Sequence, residues 1–116
     1  MRVGLKFKNK KIEIEVKRCN FFQRFTGLMF SRREKAFALL FDFKKPVKIA
    51  IHSWFVFFNF LAIWLDEENK IIKIKKVKPF SSVIFPEKKF VKLIEIPLNK
   101  KYKNEIKSLV GDAKDL

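Results

Sequence analysis

The chain has 116 residues, 48% of them apolar, and a formal net charge of +15 from 27 basic and 12 acidic side chains. That length suits one domain, residues 1–116, with one real hydrophobic core, and the apolar fraction excludes intrinsic disorder. The charge favours polyanion partners, although the dominance of Lys (22 of the 27 basic residues) also fits a thermophile-like composition.

Val3, Leu5 and Phe7 alternate with Arg2, Lys6 and Lys8, and Ile12, Ile14 and Val16 alternate with Glu13, Glu15 and Lys17. Period-two alternation of this kind predicts two half-buried strands. A tight turn at Asn9-Lys10 would join them and set Glu13 and Glu15 across from Lys6 and Lys8. The same alternation leaves no continuous apolar run at the start, so no secretory signal is expected. Cys19 is the only cysteine, which excludes an internal disulfide and fits a reducing, cytoplasmic setting. It reads as a small buried hydrophobe rather than a nucleophile.

Asn20 is a candidate N-cap for a short helix over 21–29, with Phe21, Phe22, Phe25 and Leu28 on one stripe and Gly27 near its end. A polar loop follows, then ALLFDF as a short strand that Pro46 breaks, and a further alternating stretch from Val47 to Ile51. Residues 60–65 read as a strand, 66–69 as a charged turn, and 70–78 as a strand with a bulge near Lys75-Lys76. Residues 79–89 form a loop between two prolines. FVKLIEI is a strand that Pro97 stops, and 102–109 is a short helix closed by Gly111. The sum is a mainly β domain, barrel-like or a closed sandwich, with one or two short helices. Fifteen Phe against one Tyr predict a core rich in phenyl rings.

Residues 49–65 carry no charged side chain. Their length sits at the lower limit of the roughly 17–25 residues a membrane helix needs, and polar His52, Ser53 and Asn59 interrupt them. No basic residue other than His52 alternates with the aromatics, as a nucleic-acid stacking face would require. Two buried strands meeting near 57–59 explain the run better, with no membrane span.

The order of short boxes along the chain now adds a kinship. Gly27-Leu28-Met29, Leu39-Leu40-Phe41, Ile51-His52 with Phe55-Val56, and Leu65-Asp66 are followed by Lys78-Pro79-Phe80, Glu95-Ile96-Pro97 and Gly111-Asp112. This succession resembles the uncharacterised family called domain of unknown function 192, in its archaeal form. The resemblance implies a small, compact, mostly β domain whose family has no established biochemical role. Where the family carries Pro-Ile-Asp, this chain has Asn59-Phe60-Leu61, and the Ala-Gly expected after Pro97 is Leu98-Asn99. If the family's Asp supports a shared site, Leu61 alters or removes it.

Among chemically capable residues, His52 is the only histidine and would serve as base, ligand or switch. Its apolar neighbours favour a histidine at the edge of the core. Glu95 shares the parity of Val91 and Leu93, so it points inward and needs a partner, for which Arg24 is a candidate, or a raised pKa. One His and one Cys, without CxxC or HExxH spacing, give no metal site, and no cofactor motif is present. The reading that follows is a non-catalytic binding or accessory module for a small ligand or protein partner, using His52, Trp54, Pro79 and Glu95. An alternative is non-specific nucleic-acid binding through Lys73, Lys75, Lys76, Lys78, Arg32 and Arg33. A third, weaker, is an enzyme pairing His52 with Glu95 or Asp66. The sequence names no substrate, partner or oligomeric state.

Overall fold

In a computed structural model, which describes residues 1–19, 32, 34–50, 56–80, 84 and 86–110, the alternation at the start becomes an antiparallel hairpin. Its strands are β1 (Arg2–Phe7) and β2 (Lys10–Arg18). Phe7 pairs with Lys10, so the tight turn is Lys8-Asn9, one residue earlier than predicted. Both turn residues have positive φ, 47° and 65°, as the mirror-image turns of two-residue hairpins require. The register also sets Glu15 opposite Arg2 and Glu13 opposite Gly4. The glutamates therefore pair with Arg2 and the N-terminal ammonium, not with Lys6 and Lys8.

β3 (Ala38–Val47) runs parallel to β2, joined through residues 19–37, a link long enough for the crossover that parallel strands need. The chain is not broken at Pro46. β3 continues past it because the register shifts between Asp42 and Val47, leaving the proline outside the regular ladder. Lys44, at φ 61°, takes up the kink. β4 (Phe60–Leu65), β5 (Ile71–Val77) and β6 (Phe90–Pro97) complete one sheet in the order β1-β2-β3-β6-β4-β5. The sheet curls into a half-barrel whose two ends meet at one point, where the Lys6 N–H donates to the Asn69 carbonyl at 2.9 Å. The mainly β expectation holds. Of the two buried strands expected to meet near 57–59, only β4 forms: past Val47, the end of β3, residues 48–50 and 56–59 belong to no strand, while 51–55 lie outside the described residues, as does the helix expected over 21–29.

Alternation assigns the apolar residues to two clusters, one on each face. The inner one gathers Val3, Leu5, Ile14, Leu40, Leu61, Ile63, Ile94 and Ile96 with their neighbours. The outer one gathers Phe41, Phe60, Ala62, Trp64, Phe90 and Leu93, covered by Val56, Phe58 and Ile84. β4 is buried at all six positions.

A 3-10 turn (Lys100–Tyr102) leads into helix α1 (Lys103–Val110). Tyr102, Ile106 and Leu109 fall at i, i+4 and i+7, and that stripe packs into the inner cluster. Tyr102, the only tyrosine, is fully buried. Its hydroxyl accepts the Ala38 N–H at 2.7 Å and donates to the Glu15 carbonyl at 2.8 Å, stitching the helix to the start of the parallel β2–β3 pair. Burial raises the phenol's pKa, which keeps the donor in place. Tyr102→Phe preserves the packing but strands a buried N–H and a carbonyl. It is expected to lower stability by about 1–3 kcal/mol in urea denaturation; an unchanged midpoint would show the two bonds to be dispensable.

Candidate functional site

β6 begins with Phe90 and Leu93 on the outer face and Ile94 and Ile96 on the inner one, so alternation places Glu95 on the outer face. There it pairs with Leu39 on one side and Ala62 on the other. Only 6% of it is exposed, and among the described residues no hydrogen bond or ion pair reaches its carboxyl. Removal from water is what acts on it: burial raises its pKa from 4.5 to about 8. At neutral pH the group is a neutral acid, with one O–H to donate and a carbonyl oxygen to accept.

The strand register sets its surroundings. Across the outer face one row runs Lys75, Ala62, Glu95, Leu39, and the next runs Lys73, Trp64, Leu93, Phe41. Ala62 is the smallest side chain between the two aromatic residues Phe60 and Trp64 of β4. Trp64 and Glu95 are diagonal neighbours across β4 and β6, about 7–8 Å apart at the backbone for such a pair. The Trp64 indole N–H is likewise buried without a hydrogen-bond partner among the described residues. Sequence reasoning missed Trp64, because an indole inside a continuous apolar run reads as core. Only the register, which puts it in phase with Ala62 and beside Leu93, sets it on the same face as Glu95.

A family model described as uncharacterised ACR, DUF192, matches residues 3–112. The chain belongs to the DUF192 family. No curated protein matches it. Two crystal structures share its fold. One, described as a "putative transcription regulator" from Sinorhizobium meliloti 1021, is 19% identical with a TM-score of 0.71, over 90% of this chain and 82% of that one. The other, a protein of unknown function from Novosphingobium aromaticivorans DSM 12444, is 13% identical with a TM-score of 0.68, over 89% of this chain and 76% of the other. At these identities the likeness concerns the fold alone.

The remaining DUF192 boxes fall unevenly on the structure. Of the predicted site, Glu95 and Pro79 are described, whereas His52 and Trp54 lie outside the described residues, as do Arg24 and Arg33. Leu61, which stands where the family's Asp is expected, is 1% exposed and belongs to the inner cluster, on the face opposite Glu95. Asp66 caps its own turn, its Oδ1 accepting the N–H groups of Glu68 and Lys70 at 2.9 Å each. It lies four residues beyond Ala62, Glu95's partner, which is roughly 13 Å along a strand, so the two carboxylates form no pair.

Pro79 leads out of β5 into Phe80, which holds φ at 60° and is 56% exposed. The Phe80 ring stands edge-on to Phe57, itself 58% exposed, with centroids 5.3 Å apart. A left-handed conformation is uncommon for so bulky a residue and tends to mark functional surfaces. The lysines of β5 do not share a face: Lys73 and Lys75 pair with outer-face Trp64 and Ala62, whereas Lys76 pairs with inner-face Leu61. The bulge lies between Ile71 and Lys73, opposite Trp64 and Leu65, not at Lys75-Lys76. Arg32 is exposed in the turn before β3, where its carbonyl accepts the N–H groups of Lys35 and Ala36. Among the described residues no cluster of His, Cys, Asp and Glu could hold a metal ion, and no helix is long and apolar enough to cross a membrane.

The raised pKa of Glu95 has a consequence for stability. The unfolded chain releases this proton near 4.5 and the folded one near 8, so between those values the native state holds one proton more. Stability therefore falls as pH rises through that window, by on the order of 5 kcal/mol for such a shift. Urea denaturation between pH 4.5 and 8 is expected to show this fall in the native sequence and its loss in Glu95→Gln. Parallel profiles for the two proteins would contradict it.

Proposed function

We propose that this DUF192 domain is a non-catalytic binding module whose ligand, a small molecule or a side chain of a protein partner, contacts the outer face of the sheet at Glu95. The observation that carries the reading is the buried carboxyl itself, paired with nothing among the described residues and pushed up to about 8. An apolar side chain of similar shape would make a more stable sheet, because an unpartnered buried polar group costs free energy. A group kept at that cost belongs with recognition, where a ligand supplies the missing hydrogen bond. The exposed Phe57–Phe80 pair beside Pro79 supports a nearby rim for the ligand's apolar part. His52 and Trp54 belong to the same proposal, as does a cytoplasmic location, with which a single, buried cysteine, Cys19, agrees. The engagement of Asp66 in its own turn weighs against the enzyme alternative that pairs it with His52.

Glu95→Leu separates recognition from a structural role. The proposal expects the variant to gain about 1–3 kcal/mol at pH 7.5, and to lose the thermal shift that any metabolite or peptide ligand gives the native protein. A destabilised Glu95→Leu would identify Glu95 as a structural tie and end the proposal.

A second reading, binding of single-stranded nucleic acid, is favoured by one observation. The exposed Phe57–Phe80 pair adjoins Lys78, and residues 70–86 include no acidic side chain. Fluorescence anisotropy with labelled oligothymidylate is then expected to show affinity that falls steeply between 50 and 200 mM salt, with a log–log slope of about −0.7 per phosphate contacted. Phe80→Ala and Lys78→Ala should weaken it. Absence of binding at 50 mM salt would remove this reading.

A further inference from the structure

The two edge strands of the curled sheet differ. β5 carries three lysines, Lys73, Lys75 and Lys76, among its seven residues, a common defence of an exposed edge. β1 lies at the other end of the sheet and meets β5 at the Lys6–Lys70 bridge, where the Lys6 N–H donates to the Asn69 carbonyl. That bond fixes the phase of β1: residues 2, 4 and 6 turn their backbone groups outward, while 3, 5 and 7 turn theirs toward β2. The Val16 N–H, which donates to the Met1 carbonyl at 2.7 Å, agrees with this phase. Arg2 and Gly4 therefore hold two N–H and two C=O groups at an edge, with no backbone partner among the described residues.

An antiparallel copy of the same strand satisfies these groups in one register. With Arg2 opposite Gly4 of a second copy, and Gly4 opposite its Arg2, four hydrogen bonds form and every one of these outward groups on both strands is used. A shift of two residues one way sets Arg2 against Arg2. The other way sets it against Lys6, whose N–H already serves Asn69. Like charges directly opposite are destabilising, so charge rejects both alternatives. In the favoured register Gly4 presents no side chain to the guanidinium, and Arg2 is already balanced by Glu13 and Glu15, each at 3.5 Å. On the inner parity Val3 faces Val3, and Met1, which is 56% exposed, comes opposite Leu5.

We infer that β1 is a self-association edge, through which two copies of this chain join their sheets antiparallel by the backbone of Arg2 and Gly4, about a two-fold axis at Val3. The inference is independent of the Glu95 reading, which concerns β4 and β6, and it survives if that reading fails.

The paired segment is short, so the dimer is weak and forms at high protein concentration. Sedimentation equilibrium of the full chain from about 10 μM to 1 mM is expected to show monomer passing into dimer. Each copy carries a net charge of +15, so added salt should strengthen the dimer, the opposite of its effect on a polyanion complex. Over the same range the Arg2 and Gly4 amides should exchange with solvent progressively more slowly, while those of Val3 and Leu5, bonded within the hairpin, change little. Gly4→Pro removes an N–H that the hairpin does not use, and its Cβ meets only the flexible Lys11 stem, whose Cε lies 2.6 Å from that position. It should weaken dimerisation at least about tenfold by deleting two of the four bonds. A chain monomeric to the top of that range would leave the edge to a foreign strand and overturn the inference. A dimer that tolerates Gly4→Pro, weakens with salt or leaves the Gly4 amide exchanging freely would do the same. The exchange is read on the native sequence, so it decides the matter even where Gly4→Pro fails to fold.

Discussion

The central strands of this sheet are covered on both sides, and most of the molecule's chemistry follows from that constraint. β4 is buried throughout, and β6 is buried at every position but Lys92. The inner residues close the half-barrel together with the helix stripe, while the outer ones pack beneath Val56, Phe58 and Ile84. In such strands a polar side chain has no water to turn to, so each one must find a partner or stand at a penalty. Tyr102 shows the satisfied case, with one hydroxyl serving both a donor and an acceptor of the backbone. Among the described residues Glu95 and the Trp64 indole show the other case, on one face and on neighbouring rows. Their coincidence on a single face gives the outer side of the sheet its claim to function.

Much of this was legible in the residues, and the failures have physical causes. The alternation at the start gave β1 and β2 and the stripe of Tyr102, Ile106 and Leu109 gave a helix, whereas the alternation after Val47 gave no strand over 48–50. Parity alone placed Glu95 inside. What parity cannot supply is which inside. A strand buried on both faces reads as one apolar run, so that Leu61 and Ala62, neighbours in sequence, serve separate cores. Pro46 reads as a break because a ladder N–H is assumed to be needed there; the register shift in β3 removes the need. The bulge in β5 was expected from broken parity at Val77. The structure keeps Val77 in phase with Phe60 and puts the extra residue at Ile72, because Ile71 and Ile74 both have to reach the inner cluster.

Membership of DUF192 gives the chain a family but no activity, and its structural neighbours share only a fold with it. Leu61, at the position where the sequence resemblance leads one to expect the family's Asp, faces the inner core and so leaves the Glu95 face untouched. The abundant lysines also have an ordinary explanation. β5 ends the sheet, its contact with β1 confined to the Lys6–Lys70 bridge, and lysines along such an edge discourage pairing with another chain. Positive charge by itself therefore argues for little on this molecule. Specific claims rest instead on particular groups: a neutral buried acid, an indole N–H without a partner among the described residues, and an exposed aromatic pair.

All of these weigh less than the protonation state of Glu95, on which the account turns. Its side-chain carboxyl ¹³C chemical shift, followed from pH 3 to 10 in the folded protein, measures that state directly. The account predicts a single titration centred near 8, with the carboxyl protonated at neutral pH. A midpoint near the ordinary value of 4.5 would mean that water or a charged partner reaches the group, and the case for a recognition site on this face would fail.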